Sequence, residues 1–288
     1  MTNISESIRV SAESLKLCEI PKPFREAKSL LLLAIHKNKA FLIAHPEYQL
    51  KEDEEKAFWD YIERRSRHEP FQHIAGKQEF WGLDFVVSPE VLIPRPETEL
   101  IVEAGIEILK DRENPKFCEV GIGSGCISVS ILHDVKNATA IGLDISPEAL
   151  KIARLNAENN QVSDRLTLKN SDVFSKIKRT TEFDLIVSNP PYIPARDLPD
   201  LQAEVRDFDP HIALTDGKDG LSIIEKIIKR SPKYLKPNGF LLLEMGYNQS
   251  NDVGQMFDQT IWQEVNFFPD LQGIPRMVKA RLGKNLVI

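Results

Sequence analysis

The chain has 288 residues, 42% hydrophobic and 28% charged, with a formal net charge of −6. That is enough apolar material for one large domain, or one medium and one small, with a real core. The acidic balance counts against a dedicated nucleic-acid binder, which carries a basic surplus. Met1 to Val10 is polar and mixed in charge, without the apolar core of a signal peptide, and no apolar run approaches membrane-spanning length. A soluble cytoplasmic protein is the expectation.

Residues 1 to about 70 read as a helical bundle. Apolar residues recur at helical spacing over Ser5 to Leu17 and Phe24 to Lys37, and Pro23 suits a helix start. Glu52 to Arg67 opens on acids and closes on Arg64, Arg65 and Arg67, the order that complements a helix dipole. His36, His45, His68 and His73 share no evident face and read as surface or satisfied side chains. From Pro70 the pattern turns extended: Phe71 to Ile74 and Glu79 to Val87 predict a β-hairpin around Ala75-Gly76-Lys77. A helix follows from about Thr98 to Lys110.

From Pro115 strands and helices alternate. Strands are predicted at Phe117 to Val120, Ala138 to Leu143, Leu166 to Lys169, Phe183 to Ser188 and Gly239 to Met245. Helices are predicted at Gly125 to His133, Pro147 to Asn159 and Leu221 to Leu235, with a further piece at Val253 to Asp258. This alternation predicts a doubly wound, mostly parallel α/β sheet. Trp262 to Phe268 and Arg276 to Leu282 lie too close for a crossover helix, so they should pair antiparallel at its edge. The expected division is a helical bundle over 1–70, a hairpin linker over 71–92 and a catalytic α/β domain over 93–288. Cys18, Cys118 and Cys126 form no C-x-x-C pair, so core thiols and no metal site are expected.

Two stretches carry chemistry. Glu119-Val120-Gly121-Ile122-Gly123-Ser124-Gly125 follows the first parallel strand and opens its helix. Its glycines permit a tight turn and let a ligand press against backbone amides. Asp144 ends the next strand about 20 residues on, where a carboxylate accepts hydrogen bonds from ribose hydroxyls. Spacing of G-x-G-x-G, with Glu119 just before it, suits a cationic amino acid group better than a pyrophosphate. S-adenosylmethionine has that ammonium, a ribose and no phosphate. Asp172, after the third strand, is placed for an adenine amine, with Val173 or Phe174 packing on the ring; a helix cap is the structural alternative for Asp172.

The second stretch is Asn189-Pro190-Pro191-Tyr192, directly after the buried run Phe183 to Ser188. An amide, two prolines and an aromatic ring make a rigid cup for a planar –NH2 group. An ordinary turn is the alternative, since Asn-Pro is a frequent loop opener. The loop from Asn189 to about Gly220 is long for a compact domain and holds five prolines, a pattern of binding lids.

Together these residues resemble the class I methyltransferases. Leu92-Ile93-Pro94-Arg95-Pro96-Glu97-Thr98-Glu99, Asn189-Pro190-Pro191-Tyr192-Ile193, Ala213-Leu214 with Asp219-Gly220-Leu221, and Asp270-Leu271-Gln272-Gly273 are similar to the signature of the peptide chain release factor glutamine methyltransferases. The resemblance runs from about Pro70 to the C-terminus; the first 70 residues match in type only. Glu119 and Ile122 depart from it, since the family more often has Asp and Thr there. It implies a seven-stranded, Rossmann-like sheet, S-adenosyl-L-methionine as cofactor, and transfer of its methyl group to the glutamine amide of a Gly-Gly-Gln motif.

On that reading Gly121, Ile122, Gly123, Ser124, Gly125, Asp144, Asp172, Val173, Glu119 and Asn189 hold the cofactor. Asn189, Pro190, Pro191 and Tyr192 hold the substrate, with Asn189, Pro190 and Tyr192 catalytic, while Arg95 and Glu97 cover the pocket. Arg95 would pair with a carboxylate of the cofactor or with Glu97. The bundle would recognise the release factor, and a monomer without nucleic-acid or membrane partners is expected. An adenine-N6 nucleic-acid methyltransferase, a ribosomal-protein glutamine methyltransferase and a non-catalytic cofactor-binding adaptor are the competing readings.

Overall fold

The computed structural model describes residues 3–284 in two compact units, the first running to Gly76 and taking in Gln202–Phe208, the second holding the rest. The first unit contains α1 (Ile4–Leu17), α2 (Pro23–Ile35), α3 (Lys39–Ala44), α4 (Glu52–Ser66) and α5 (Phe71–Ala75). Asn3 caps α1 by accepting from the Glu6 amide at 2.9 Å, which satisfies one of the free donors of a helix start. Four acids in the first turn of α4 and Arg64 and Arg65 in its last match the helix dipole. Leu15, Leu30, Leu31, Leu50 and Phe58 are fully buried at the centre of this bundle.

The expected strand over Phe71 to Ile74 is instead helix α5. Phe71 and Ile74 stand three apart, the spacing of one helix face, and both pack into the bundle core. Gly76, at φ +69°, closes the helix. The hairpin therefore begins later, pairing β1 (Lys77–Phe80) with β2 (Leu83–Val86). Its turn is Trp81-Gly82, at φ +55° and +70°, the doubly left-handed geometry that matches the twist of two strands.

The second unit carries β1 and β2, then α6 (Glu99–Leu109), β3 (Lys116–Val120), α7 (Cys126–Asp134), β4 (Thr139–Asp144), α8 (Pro147–Asn159), β5 (Leu166–Asn170) and β6 (Phe183–Ser188). Of the short helices that follow, α9 (Ala203–Arg206) belongs to the first unit and α10 (His211–Leu214) to the second. The chain continues through α11 (Ser222–Arg230), β7 (Leu235–Glu244), α12 (Ser250–Gln255), β8 (Trp262–Pro269) and β9 (Pro275–Leu282). The expected long helix to Leu235 stops at Arg230, because Pro232 has no amide to continue it.

The sheet order is β5-β4-β3-β6-β7-β9-β8, parallel from β5 to β7, with β9 antiparallel to both its neighbours. All six residues of β6 are buried, as a central strand covered on both faces requires. Phe117, Ile131 and Leu185 fill the core on one face; Phe174, Ile186 and Ile227 fill it on the other. Strand order reverses between β4-β3 and β6, and such a switch opens a crevice beyond the carboxyl ends of the strands. Asn156, fully buried on α8, brackets Val86 and donates to the Ser124 carbonyl, pinning hairpin and glycine loop to one helix. No helix among the described residues is long and apolar enough to cross a membrane.

Candidate active site

A cavity of about 310 Å³ opens at that switch point, bounded by the ends of β3, β4, β5 and β6. Among the described residues its charged lining is Glu90, Glu119, Asp144, Asp172 and Asp216 against Arg95. With Glu119 raised by burial and Asp172 paired to Lys226, Glu90, Asp144 and Asp216 still leave the lining acidic, which disfavours a phosphate and favours a cationic ligand.

Gly121, Gly123 and Gly125 have φ of +73°, +53° and +83°, so the loop needs residues without a Cβ. Gly121 and Ile122 donate their amides to the Leu143 carbonyl. The Ile122 side chain then turns back onto Gly142, where a Cβ would lie 2.2 Å from it. Gly142 was not singled out in the sequence, although glycine inside a strand marks a close approach. Gly125 stands off the cavity wall and begins α7, with Ala153 Cα 3.4 Å from where its Cβ would be.

Asp144 accepts from the amides of Gly123 and Ser146, both at 2.9 Å, which sets its plane at the mouth of the loop. Burial raises its pKa against these bonds. Glu119 is 1% exposed, and its Oε2 accepts from the Ser128 amide in the first turn of α7. Burial pushes it up to about 8, so it waits for a positive charge.

Asp172 is no helix cap: it receives Lys226 Nζ on both oxygens, at 2.7 and 2.6 Å. Val173 lines the cavity at φ +49°, a left-handed conformation rare for a β-branched residue and typical of functional turns. Phe174 does not share that wall; it is buried and stacks on Tyr234, ring centroids 4.7 Å apart.

Asn189 and Pro191 line the cavity beside the glycine loop, and a Cβ on Gly121 would come 3.9 Å from the Asn189 carbonyl. Pro190 and Tyr192 lie behind this wall. The Tyr192 hydroxyl donates to Glu244 Oε1 at 3.1 Å, and its carbonyl accepts from Gln249 Nε2 at 2.9 Å. Arg95 lines the cavity, but its carboxylate partner is Asp209, at 2.5 Å, and not Glu97. Glu97 is partly exposed and outside the lining.

Three residues of this neighbourhood escaped the sequence reading as functional groups: Thr98, Asp209 and Glu244. Thr98 donates to Glu244 Oε2 at 2.7 Å and accepts from Asn189 Nδ2 at 3.1 Å. Their sequence signal is weak: Glu244 is a lone acid at a strand end, Asp209 an acid in the long loop, and Thr98 a lone hydroxyl before a helix. Cys118 and Cys126 are buried, which raises both pKa values, and Cys18 is partly buried on the bundle core.

Two families match the chain: the PrmC N-terminal domain over residues 6–76 and the methyltransferase small domain over residues 99–203. A release factor glutamine methyltransferase of Koribacter versatilis is 37% identical over 278 residues, 96% of this chain and 98% of that protein. Its counterpart in Geobacter sulfurreducens is 40% identical over 258 residues, covering 90% of this chain and 89% of that protein. Among solved structures, a methyltransferase from Pyrococcus furiosus covers 77% of this chain and 99% of its own, with TM-score 0.54 at 19% identity, a likeness of fold alone. With identities of this level over most of both chains, the chain belongs to the release factor glutamine methyltransferase family.

Proposed function

We propose that this chain transfers a methyl group from S-adenosylmethionine to the side-chain amide nitrogen of the glutamine in the Gly-Gly-Gln motif of peptide chain release factors. The observation that carries the reading is one shared cavity: the glycine loop with Asp144 and the Asn189-Pro191 wall face the same 310 Å³. The relatives' names support the substrate, and the acidic lining supports a cationic donor over a dinucleotide.

The cavity residues fit this cofactor. Glu119 suits an ammonium group, Asp144 the ribose hydroxyls, and Val173 the adenine face. Asp172 is tied to Lys226, so it acts there as an ion pair and not as a bare acceptor. When bound, S-adenosylmethionine supplies an electrophilic sulfonium methyl. A glutamine nitrogen is a poor nucleophile, because its lone pair is delocalised into the carbonyl. The chain's work is therefore to position and polarise it. The Asn189 side-chain oxygen, on the cavity wall, accepts an amide hydrogen, which aims the nitrogen and stabilises the positive charge that develops on it. Pro191 supplies the apolar wall. Tyr192 donates to Glu244, which fixes the turn that carries Asn189. The alkylated amide is strongly acidic, so its extra proton leaves to water without a dedicated base.

The helical first unit recognises the body of the release factor, the enzyme acts as a monomer, and it works in the cytoplasm where its substrate is found. Nucleic acid and membrane play no part in this scheme. Incubating the protein with radiolabelled cofactor and release factor, DNA or RNA, then mapping the label by mass, tests the reading. Label on the Gly-Gly-Gln glutamine is expected; label only on nucleic acid overturns it. Asn189→Ala should lower kcat by about 10²-fold or more while cofactor affinity changes little.

A further inference from the structure

We propose that Thr98 and Glu244 form a hydrogen-bond relay that sets the rotation of the Asn189 amide, so that its oxygen and not its nitrogen is offered to the substrate. The inference rests on the role assigned to Asn189 above and extends it to two residues of separate elements.

The direction of each bond follows from the chemistry of the donors. An ionised carboxylate only accepts. Thr98 has one hydrogen, and at 2.7 Å from Glu244 Oε2 it goes to the carboxylate. The Thr98 oxygen is left with lone pairs, and one takes a hydrogen from Asn189 Nδ2 at 3.1 Å. Were the amide turned over, Asn189 Oδ1 would face those lone pairs and repel them. The NH2 end is thus held on Thr98, and the oxygen is the atom left for a ligand.

Burial enforces the arrangement. Thr98 is 2% and Glu244 3% exposed, so water cannot substitute for either partner. The other Glu244 oxygen accepts from the Tyr192 hydroxyl at 3.1 Å. One carboxylate at the end of β7 therefore holds both the residue before α6 and the turn after β6. Main-chain bonds alone do not determine the rotation of a side-chain amide; this relay does.

The relay works in one direction only while Glu244 is ionised. Burial pushes Glu244 up to about 7. Glu97, just before Thr98, pushes the same way, whereas Arg276 on β9 and the hydroxyls of Thr98 and Tyr192 pull it down. A protonated Glu244 donates one bond, frees the Thr98 hydrogen and lets the amide turn.

The test uses the full-length protein, S-adenosylmethionine and a release factor, with kcat, KM and cofactor Kd measured for Thr98→Val, Thr98→Ser and Asn189→Ala. Thr98→Val, nearly isosteric but without the hydroxyl, should lose kcat on the order of 10²-fold with cofactor Kd changed less than about twofold. Thr98→Ser should restore most of the rate. Wild-type kcat should rise with pH through the Glu244 titration, and this step should vanish in Glu244→Gln, which does not titrate and, like the protonated acid, offers one donor and one acceptor. Full activity in Thr98→Val, equal losses of rate and cofactor affinity, or failure of serine to rescue would each overturn the relay. If Thr98→Val does not fold, the Glu244→Gln profile decides alone, and one matching wild type sinks the relay. A fully active Asn189→Ala would instead overturn the amide socket itself.

Discussion

Arg65 donates to Glu204 at 2.5 Å, although the two residues lie 139 positions apart and on opposite sides of the glycine loop in the chain. Glu204 sits in the Gln202–Phe208 stretch, which leaves the long loop of the second unit and counts with the bundle. Arg65 is buried, its side chain 4% exposed, and also donates to Glu26 at 2.8 Å.

Removing both acids leaves a buried guanidinium without a carboxylate, whereas removing the cation leaves two carboxylates that water reaches. Glu26→Ala with Glu204→Ala should therefore lower stability by about 3 kcal/mol, and Arg65→Met by clearly less. Urea denaturation of the variants checks the order; Arg65→Met as the more damaging change would contradict it.

The Arg95–Asp209 pair predicts a similar asymmetry inside the second unit. The Asp209 side chain is wholly buried and that of Arg95 is 35% exposed. Arg95→Ala strands a buried carboxyl whose pKa burial already raises, and should cost about 2–3 kcal/mol. Asp209→Asn should cost less, since it removes the charge with the partner still able to reach water. Thermal unfolding gives the order, and calorimetry on Arg95→Ala reads its share in cofactor affinity, which an unchanged Kd would deny.

Glu119, pushed up to about 8, is protonated at neutral pH in the free enzyme. A bound ammonium favours its ionised form, so binding below about pH 8 should release a proton. Above that value the group is already ionised and nothing is released. Calorimetry in buffers of different ionisation enthalpy measures the count, and Glu119→Gln should abolish it. A proton count that Glu119→Gln leaves unchanged would assign the ammonium to another group.

Gly220 separates two kinds of glycine. Its φ is +79°, and a Cβ there would lie 2.1 Å from the Tyr192 carbonyl oxygen. Gly217, at φ +76°, has nothing within 4 Å of its missing Cβ. Gly217→Ala should cost about 1–2 kcal/mol of backbone strain. Gly220→Ala should cost more, and should lower kcat by shifting the backbone that carries Tyr192. Equal thermal shifts in the two variants would mean that the close approach is relieved without cost.

Much of the cavity's geometry could be read along the chain because its demands are local. Gly121, Gly123 and Gly125 announce a turn that only glycine follows easily, and Asp144 announces a strand end; both sit on the cavity or next to it. Asn189 and Pro191 follow directly from a strand whose six buried residues name it as central. The misread hairpin shows the limit of such signals. Phe71 and Ile74 satisfy both an extended run and one helix face, and only the bundle core they enter chose the helix.

Amino-acid order by itself determined the alternation of elements, the glycine turn and the Asn-Pro-Pro-Tyr wall, because each depends on neighbours a few positions away. Tertiary structure alone decided the partners of the buried charges. Thr98 meets Glu244 across 146 positions and Arg95 meets Asp209 across 114, and nothing in the local pattern pairs them. A carboxylate's partner is whichever donor the strand order brings beside it, and desolvation makes that choice binding only once the sheet has closed over both.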